Sequence, residues 1–501
     1  MSDYYSSWKC YAYHEENRFL SCKHEDLIKI CNCFDIHHLS QQKQFIGIPV
    51  HYNKEKNLVY CLKEGPHSLI EGESGSKKSR TIVRWLIILS ALSRHTSFIV
   101  NDPKGELSSD PKIKYILDQY HVRTHIVDFR KFDKDGFNPL SYIFEHVLKG
   151  EMAQAASSID KFVNMLLETT ARQNKDPYWD NVAGDLIRYT MQLLAYALSF
   201  NREGEKYFNL SSVKTFIRQD RDNLQDIFRR ISPTTNNNAV HGYNEIIQLS
   251  ANNTYGCIVS SANALLSDFF SSEALLQMLS VQTFDIRSLY KEPTAIFLIV
   301  PDEHKAYNLL SGYLIDQFYQ ILVETYNEFD KEPQCDIKFI VDEAANIQIN
   351  DLSSKVSASR SRHIDWNLIF QSQLQMAEAY SRDWATIQGN CKHKIYLGSS
   401  DYNILSNISE QAGLSEIRRE GVTVPLIRIE DLRKMRKEKT YKDALLITGN
   451  HLYCAKLPDY EVLDFLKPLS KKWPKRIIEN KTYVYTPDDL FDEYKRSKVI
   501  L

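Results

Sequence analysis

The ten residues Ile70-Glu-Gly-Glu-Ser-Gly-Ser-Lys-Lys-Ser79 constrain the fold of this chain more than any other stretch. Gly72, Lys78 and Ser79 stand at the spacing of the phosphate-loop pattern G-x-x-x-x-G-K-[ST], but Lys77 occupies its second glycine position. The pattern carries chemistry only between a strand and a helix, where backbone N–H groups at the helix N-terminus can cradle an anion. Residues 67–70 form a short apolar run and 81–92 an apolar helical one, so the flanks predict that context. A glycine at position 77 would let the backbone pass close to phosphate. Lysine is expected instead to bring a Cβ and a long charged side chain into the tightest part of the loop. Gly72, Gly75, Ser76, Lys78 and Ser79 are the expected nucleotide-binding residues, with Ser79 also expected on a metal ion.

A second half of the same site lies more than 250 residues later. The apolar run 335–341 ends in Asp342-Glu343, and an acidic pair at a strand end suits Mg²⁺ and water chemistry. Asp342 would share the metal shell with Ser79, and Glu343 would polarise an attacking water. Arg360 and Arg362 precede the next apolar run, where a guanidinium could reach a neighbouring subunit's γ-phosphate. Gln371 ends that run, placed to hydrogen-bond a γ-phosphate. Taken singly, the arginines read equally well as a solvated helix end and Gln371 as a plain strand terminus.

Around these motifs the chain alternates β-rich apolar runs (67–70, 97–101, 124–129, 294–300, 337–341, 367–370, 394–397 and 444–448) with helical patterns such as 307–326 and 351–360. Most runs are apolar on both faces, as strands of a helix-covered parallel sheet are. The fold class is therefore α/β, with a doubly wound core. From 144 to 281 no strand pattern occurs, while helical periodicity recurs in 152–168, 179–199 and 213–229. An all-α insertion splitting the core accounts for this. The expected divisions are 1–64, a small Cys/His-rich region; 65–143, the first part of the core; 144–281, the insertion; 282–466, the second part of the core; and 467–501, a charged, weakly patterned tail. Residues 232–239 read as an exposed connector.

Composition excludes some functions. The 501 residues carry a net charge of −2, so the whole molecule offers no electrostatic footprint for nucleic acid, and any such surface must be local. Arg433, Lys434, Arg436, Lys437 and Lys439 make the densest basic run, read as a solvated helix face. The longest apolar runs, 85–92 and 295–300, fall short of the roughly 20 residues that cross a bilayer, and the amino terminus lacks a secretory pattern. A cytoplasmic protein, held at the inner face of the membrane through a partner, is expected. Five of nine cysteines (Cys10, Cys22, Cys31, Cys33, Cys61) fall in the first 61 residues, near His14, His24, His37 and His38. A zinc site of Cys22, His24, Cys31 and Cys33 would rest on a C-x-C pair, whereas structural sites favour C-x₂₋₄-C. Reduced cysteines in a small apolar subdomain are expected instead.

Several less common segments complete the pattern: Asp102-Pro-Lys-Gly-Glu106 after the second strand, Val127-Asp-Phe-Arg130, Phe137-Asn-Pro-Leu140, Tyr178-Trp-Asp180, Val300-Pro-Asp-Glu303, Phe370-Gln-Ser372, and Asn390-Cys391 leading to Leu397-Gly398. With these the chain resembles the TraG/TraD-type coupling proteins of conjugation and type IV secretion, in particular their Gram-positive mobile-element versions, from about residue 67 to 460. The resemblance implies a RecA-like P-loop NTPase core interrupted by an all-α domain, assembled as a homo-hexamer. It implies ATP and Mg²⁺ as cofactors. It also implies single-stranded DNA with its relaxase, and a type IV secretion channel or small membrane-anchor protein, as partners. Residue by residue, Lys78 and Ser79 match the phosphate and metal ligands, Asp342 and Glu343 the acidic pair, Arg362 the inter-subunit arginine and Gln371 the sensing glutamine. Two departures are Lys77 and the lack of membrane-spanning helices at the amino terminus. Lys77 bears on hydrolysis, so an ATPase-deficient recruiting scaffold of the same family is an alternative to the motor. A cytoplasmic FtsK/HerA-like DNA translocase is another, against which the Asp102 and Tyr178 segments speak.

Overall fold

The computed structural model describes residues 30–501 apart from 64, 66, 171–177, 233–236, 250, 302, 420–421, 450, 477–481 and 498–501. Two compact units divide the chain: Met1–His125, Arg287–Ile299 and Leu322–Lys472 form the first, and Ile126–Ile286, Val300–Ile321 and Trp473–Leu501 the second.

The first unit opens with a three-stranded antiparallel sheet, β1 (Cys31–Asp35), β2 (Pro49–Asn53) and β3 (Leu58–Leu62), in the order β1-β3-β2. Cys31 and Cys61 are buried in it and Cys33 is exposed; burial pushes the Cys31 thiol up to about 12. Cys22 and His24 lie outside the described residues, and among the described residues no cluster could hold a metal ion.

The main sheet follows: β4 (Ser68–Glu71), β5 (Thr96–Asn101), β6 (Arg123–Asp128), β7 (Thr294–Ile299), β8 (Asp336–Val341), β9 (Ile364–Phe370) and β10 (His393–Tyr396). After a hairpin of β11 (Leu414–Arg419) and β12 (Val422–Pro425), β13 (Tyr441–Thr448) and β14 (His451–Pro458) rejoin it. The order is β14-β13-β10-β4-β9-β8-β5-β7-β6. From β10 through β4, β9, β8 and β5 to β7 the pairing is parallel. β13 and β14 add antiparallel to β10, so the sheet is mixed with a parallel centre, and the fold class is the α/β one expected. β4, β5 and β7 are buried along their whole length, which is why they read as continuous apolar runs rather than alternating ones. β14 was not anticipated from sequence because His451, Lys456 and Pro458 interrupt its pattern.

In the second unit the helices Met152–Thr170, Tyr178–Leu198, Leu210–Ile217, Arg221–Ile231, Asn238–Leu249 and Asn252–Leu265 succeed one another. Sequence periodicity joined 213–229 into one helix. The structure breaks it, because the Asp220 carboxylate accepts from the Asp222 and Asn223 N–H groups and starts a new helix there. The expected connector 232–239 falls partly outside the described residues. The weakly patterned tail contains a helix, Pro487–Ser497, whose Glu493 accepts from the Tyr485 hydroxyl at 2.6 Å. No helix among the described residues is long and apolar enough to cross a membrane.

Candidate nucleotide site

β4 delivers the chain to Gly72, where a Cβ would stand 2.5 Å from Ser76 Oγ and 3.1 Å from Leu397 Cβ, so any side chain there would have to displace Ser76. The loop turns through Gly75 (φ 77°), and the Ser76 N–H closes it on the Glu73 carbonyl at 3.1 Å. A wide π-type turn, Ser79–Val83, leads into the buried helix Arg84–Ser93. Strand, loop and helix thus stand in the order that the glycine and serine spacing predicts.

Lys77 takes the left-handed conformation (φ 70°) that its missing glycine would favour, at a cost of about 1 kcal/mol for a residue with a Cβ. Its side chain does not fill the cradle as the sequence suggested. The ammonium donates to Asp459 Oδ2 at 3.0 Å and to the Glu438 carbonyl at 2.6 Å. Arg80 grips the same carboxylate with two donors, each at 2.8 Å. Burial alone would raise the Asp459 carboxyl, but Arg80 and Lys77 hold it below the ordinary range. Asp459 follows β14, and Trp85 on the loop's own helix donates to the Pro458 carbonyl at 2.9 Å. The antiparallel extension of the sheet therefore anchors the altered loop.

A cavity of about 380 Å³ opens beside the loop, lined by Ser76, Lys78 and Ser79 together with Asp102, Lys104, Asp342, Glu343 and Lys437. Lys78 is buried and donates to the loop's own Gly72 and Glu73 carbonyls. Burial lowers its pKa, and Glu343 and Asp342 oppose that shift. Asp342 directly follows β8; burial, reinforced by the neighbouring Glu343 charge, pushes its carboxyl up to about 7. Glu343 has φ 54°, and Gln371 donates to its two carboxylate oxygens at 3.2 and 3.1 Å. Gln371 stands directly after β9, the parallel neighbour of both β4 and β8. Adjacent strands thus carry the loop, the acidic pair and the glutamine to one carboxyl-terminal edge, where open α/β sheets bind ligands.

Arg362 is not brought to this cavity. It lies before the amino end of β9, a strand of roughly 20 Å at 3.3 Å per residue, and its guanidinium donates to the Ala358 carbonyl at 2.6 Å.

A nucleotide with Mg²⁺ fits the residues present. Ser76 Oγ, in the cavity lining, is buried without a hydrogen-bond partner, and a cation would relieve the raised Asp342. Sequence reading missed Asp459, Lys104 and Lys437. The Lys437 ammonium donates to the Gly75 carbonyl at 2.6 Å. The basic run is thus no helix face, since the helix stops at Arg433 and the following residues cross the phosphate loop. The Asp102-Pro-Lys-Gly-Glu106 segment could have flagged Lys104. Asp102 is buried and accepts from the Leu107 and Ser108 N–H groups, fixing the turn that carries Lys104 to the cavity rim.

A family profile described as "Type IV secretory system Conjugative DNA transfer" matches residues 32–461. Among solved structures, the plasmid coupling protein TrwB in complex with a non-hydrolysable ATP analogue superposes with a TM-score of 0.54 over 84% of this chain and 88% of that one, at 17% identity. The conjugative coupling protein TrwBdeltaN70, in a trigonal form with sulphate, gives 0.55 over 91% and 97%, at 15% identity. TrwB in complex with ADP and Mg²⁺ gives 0.51 over 84% and 88%, at 16% identity. These likenesses identify the core fold as RecA-like. No curated protein matches the chain.

Proposed function

Because the chain belongs to the type IV secretory system conjugative DNA transfer family, we propose that it is a coupling protein that hydrolyses ATP to drive a relaxase-bound single DNA strand, or protein cargo, into a secretion channel. In this reading it works as a homo-hexameric ring at the membrane's inner face, held by the channel or by a small membrane-anchor protein. The observation that carries the proposal is the Gln371–Glu343 hydrogen-bond pair at the rim of the cavity that also holds Lys78, Ser79 and Asp342.

Bound ATP with Mg²⁺ supplies the phosphoanhydride bond whose cleavage powers transfer. Lys78 and the loop N–H groups would hold phosphate, and Ser79 and Asp342 would hold the ion. Glu343 takes the proton of the attacking water while Gln371 orients its carboxylate. Arg362 acts on a neighbouring subunit's cavity. Asp459 keeps Lys77 out of the cradle, which supports turnover despite the missing glycine.

The second reading, a recruiting scaffold without turnover, is favoured by one observation: Lys78 is committed to its own loop's carbonyls. An ATPase assay separates the two. Slow hydrolysis, stimulated by single-stranded DNA and abolished by Glu343→Gln, is expected of the motor. Equal background rates for wild type and Glu343→Gln would leave the scaffold.

A further inference from the structure

A second cavity, of about 320 Å³, shares no lining residue with the nucleotide cavity and lies against the buried Glu71 that ends β4. Gln373, two residues after Gln371, donates to both Glu71 oxygens, from its backbone N–H at 3.1 Å and its side chain at 2.9 Å. The other end of the Gln373 side chain is over-subscribed. Its single Oε1 is approached by the amide nitrogens of Gln388 at 3.2 Å, Gln411 at 3.4 Å and Asn407 at 3.5 Å. The Gln411 amide also donates to Asn407 Oδ1, at 2.9 Å; each of the three amides carries two N–H groups, more than these two oxygens take up. The cavity floor therefore has N–H groups to spare for an incoming acceptor.

An independent observation points to the same need. Tyr396 pairs with Glu71 in the sheet register and is buried; the Ser399 N–H donates to its hydroxyl, whose own hydrogen has no acceptor. Both residues line a smaller space that also takes in Gln373, Gln388 and Gln411. Trp384 and Ile404 supply apolar wall, and Tyr402, at the start of the helix that carries Asn407 and Gln411, is 60% exposed. Surplus donors at the floor, apolar sides and an exposed ring nearby suit a flat neutral ring edged with carbonyls. A peptide added as a strand is excluded at β4, which is paired on both sides.

Building on the DNA-transfer reading above, we infer that this cavity is a nucleobase site that takes a ring-carbonyl pyrimidine, best met by thymine, from a single DNA strand. Thymine offers acceptors to the amides and a methyl group to the apolar wall, and base stacking on aromatic side chains is how single strands are commonly held. The segment 371–373 joins this cavity to the Glu343 carboxylate, so the base site and the hydrolytic site share one short tether.

The test is fluorescence anisotropy on the full chain, using a labelled thymidine oligonucleotide and an abasic strand of equal length, with wild type and Asn407→Ala/Gln411→Ala. Both substituted positions are exposed on a helix, so the variant folds, and its circular dichroism melt verifies this. Wild type should bind the thymidine strand about tenfold tighter than the abasic one, and the variant should lose that preference. Added thymidine nucleoside separates two supporting outcomes: displacement marks a pocket open to any source of the base, and no displacement one reserved for a strand. Equal binding of the two strands by wild type, or a preference untouched in the variant, overturns the base site alone. Failure to bind either strand overturns the DNA reading beneath it as well.

Discussion

The Lys77 ammonium lies 3.0 Å from a carboxylate oxygen of Asp459, a residue with no exposed side-chain surface and 382 positions away in the chain. That contact turns a substitution that looks disabling in sequence into a tethered one. The lysine meets the glycine position's backbone requirement by adopting left-handed geometry, and its charge is spent on the end of β14 rather than inside the phosphate cradle.

Position 77 is thus expected to tolerate glycine better than alanine. Lys77→Gly removes the ion pair and the left-handed strain together, whereas Lys77→Ala loses the pair and keeps the strain. Urea melts should place alanine below glycine by about 1 kcal/mol. Alanine matching or exceeding glycine would mean that the backbone there is not left-handed.

Asp459→Asn leaves Lys77 without its counter-charge and Arg80 with Glu461 alone, 3.6 Å away. Removing one partner of a buried pair is costly, but Arg80 is 41% exposed and water screens much of its share. A loss of about 1–3 kcal/mol is expected, together with weaker nucleotide binding as Lys77 is released toward the loop. Because Asp459 is held below its ordinary pKa, the stabilisation is present above the unfolded carboxyl's pKa and fades as acid protonates the folded one. The wild-type advantage over Asp459→Asn should therefore shrink in strong acid, and an advantage constant with pH would contradict the pairing.

Glu71 behaves in the opposite sense. Burial pushes its carboxyl from 4.5 to about 7, with the Gln373 hydrogen bonds opposing that rise. Below about 4.5 both the folded and unfolded forms are protonated. Between there and 7 the folded form holds the extra proton, so stability falls as pH rises, and above 7 the full penalty stands. Glu71→Gln should accordingly raise the melting temperature at pH 8 and change it little at pH 4, the penalty removed being about 3 kcal/mol. A gain confined to acid would reverse the assignment.

Gln371→Ala frees the Glu343 carboxylate from its holder without touching the phosphate loop. Turnover should fall about 10–100-fold while nucleotide affinity is retained. Parallel loss of both would make Gln371 a ligand rather than an orienting residue.

Much of this was readable from residues alone, and the reasons differ by element. The parallel strands are buried on both faces, so β4, β5, β7 and β8 announced themselves as apolar runs, and the loop and acidic pair sat at their ends. β13 was legible and β14 was not, because polar residues at its start and middle and Pro458 at its end disguise it. Missing β14 meant missing Asp459, and without Asp459 the lysine at 77 could only look obstructive. The basic run around Lys437 misled for a related reason. Charge density resembles a solvated helix whether the chain coils or, as here, crosses a loop and offers its Glu438 carbonyl to Lys77. Pairings across hundreds of residues leave no local periodicity to read.

The most direct measurement is an equilibrium titration of the full chain with a fluorescent ATP analogue and Mg²⁺, wild type beside Lys78→Ala. Saturable binding by wild type, weakened at least about tenfold in Lys78→Ala through loss of a charge-assisted contact, is the predicted result. No saturable binding by wild type, or the same affinity in both proteins, would contradict the claim that this loop still holds a nucleotide.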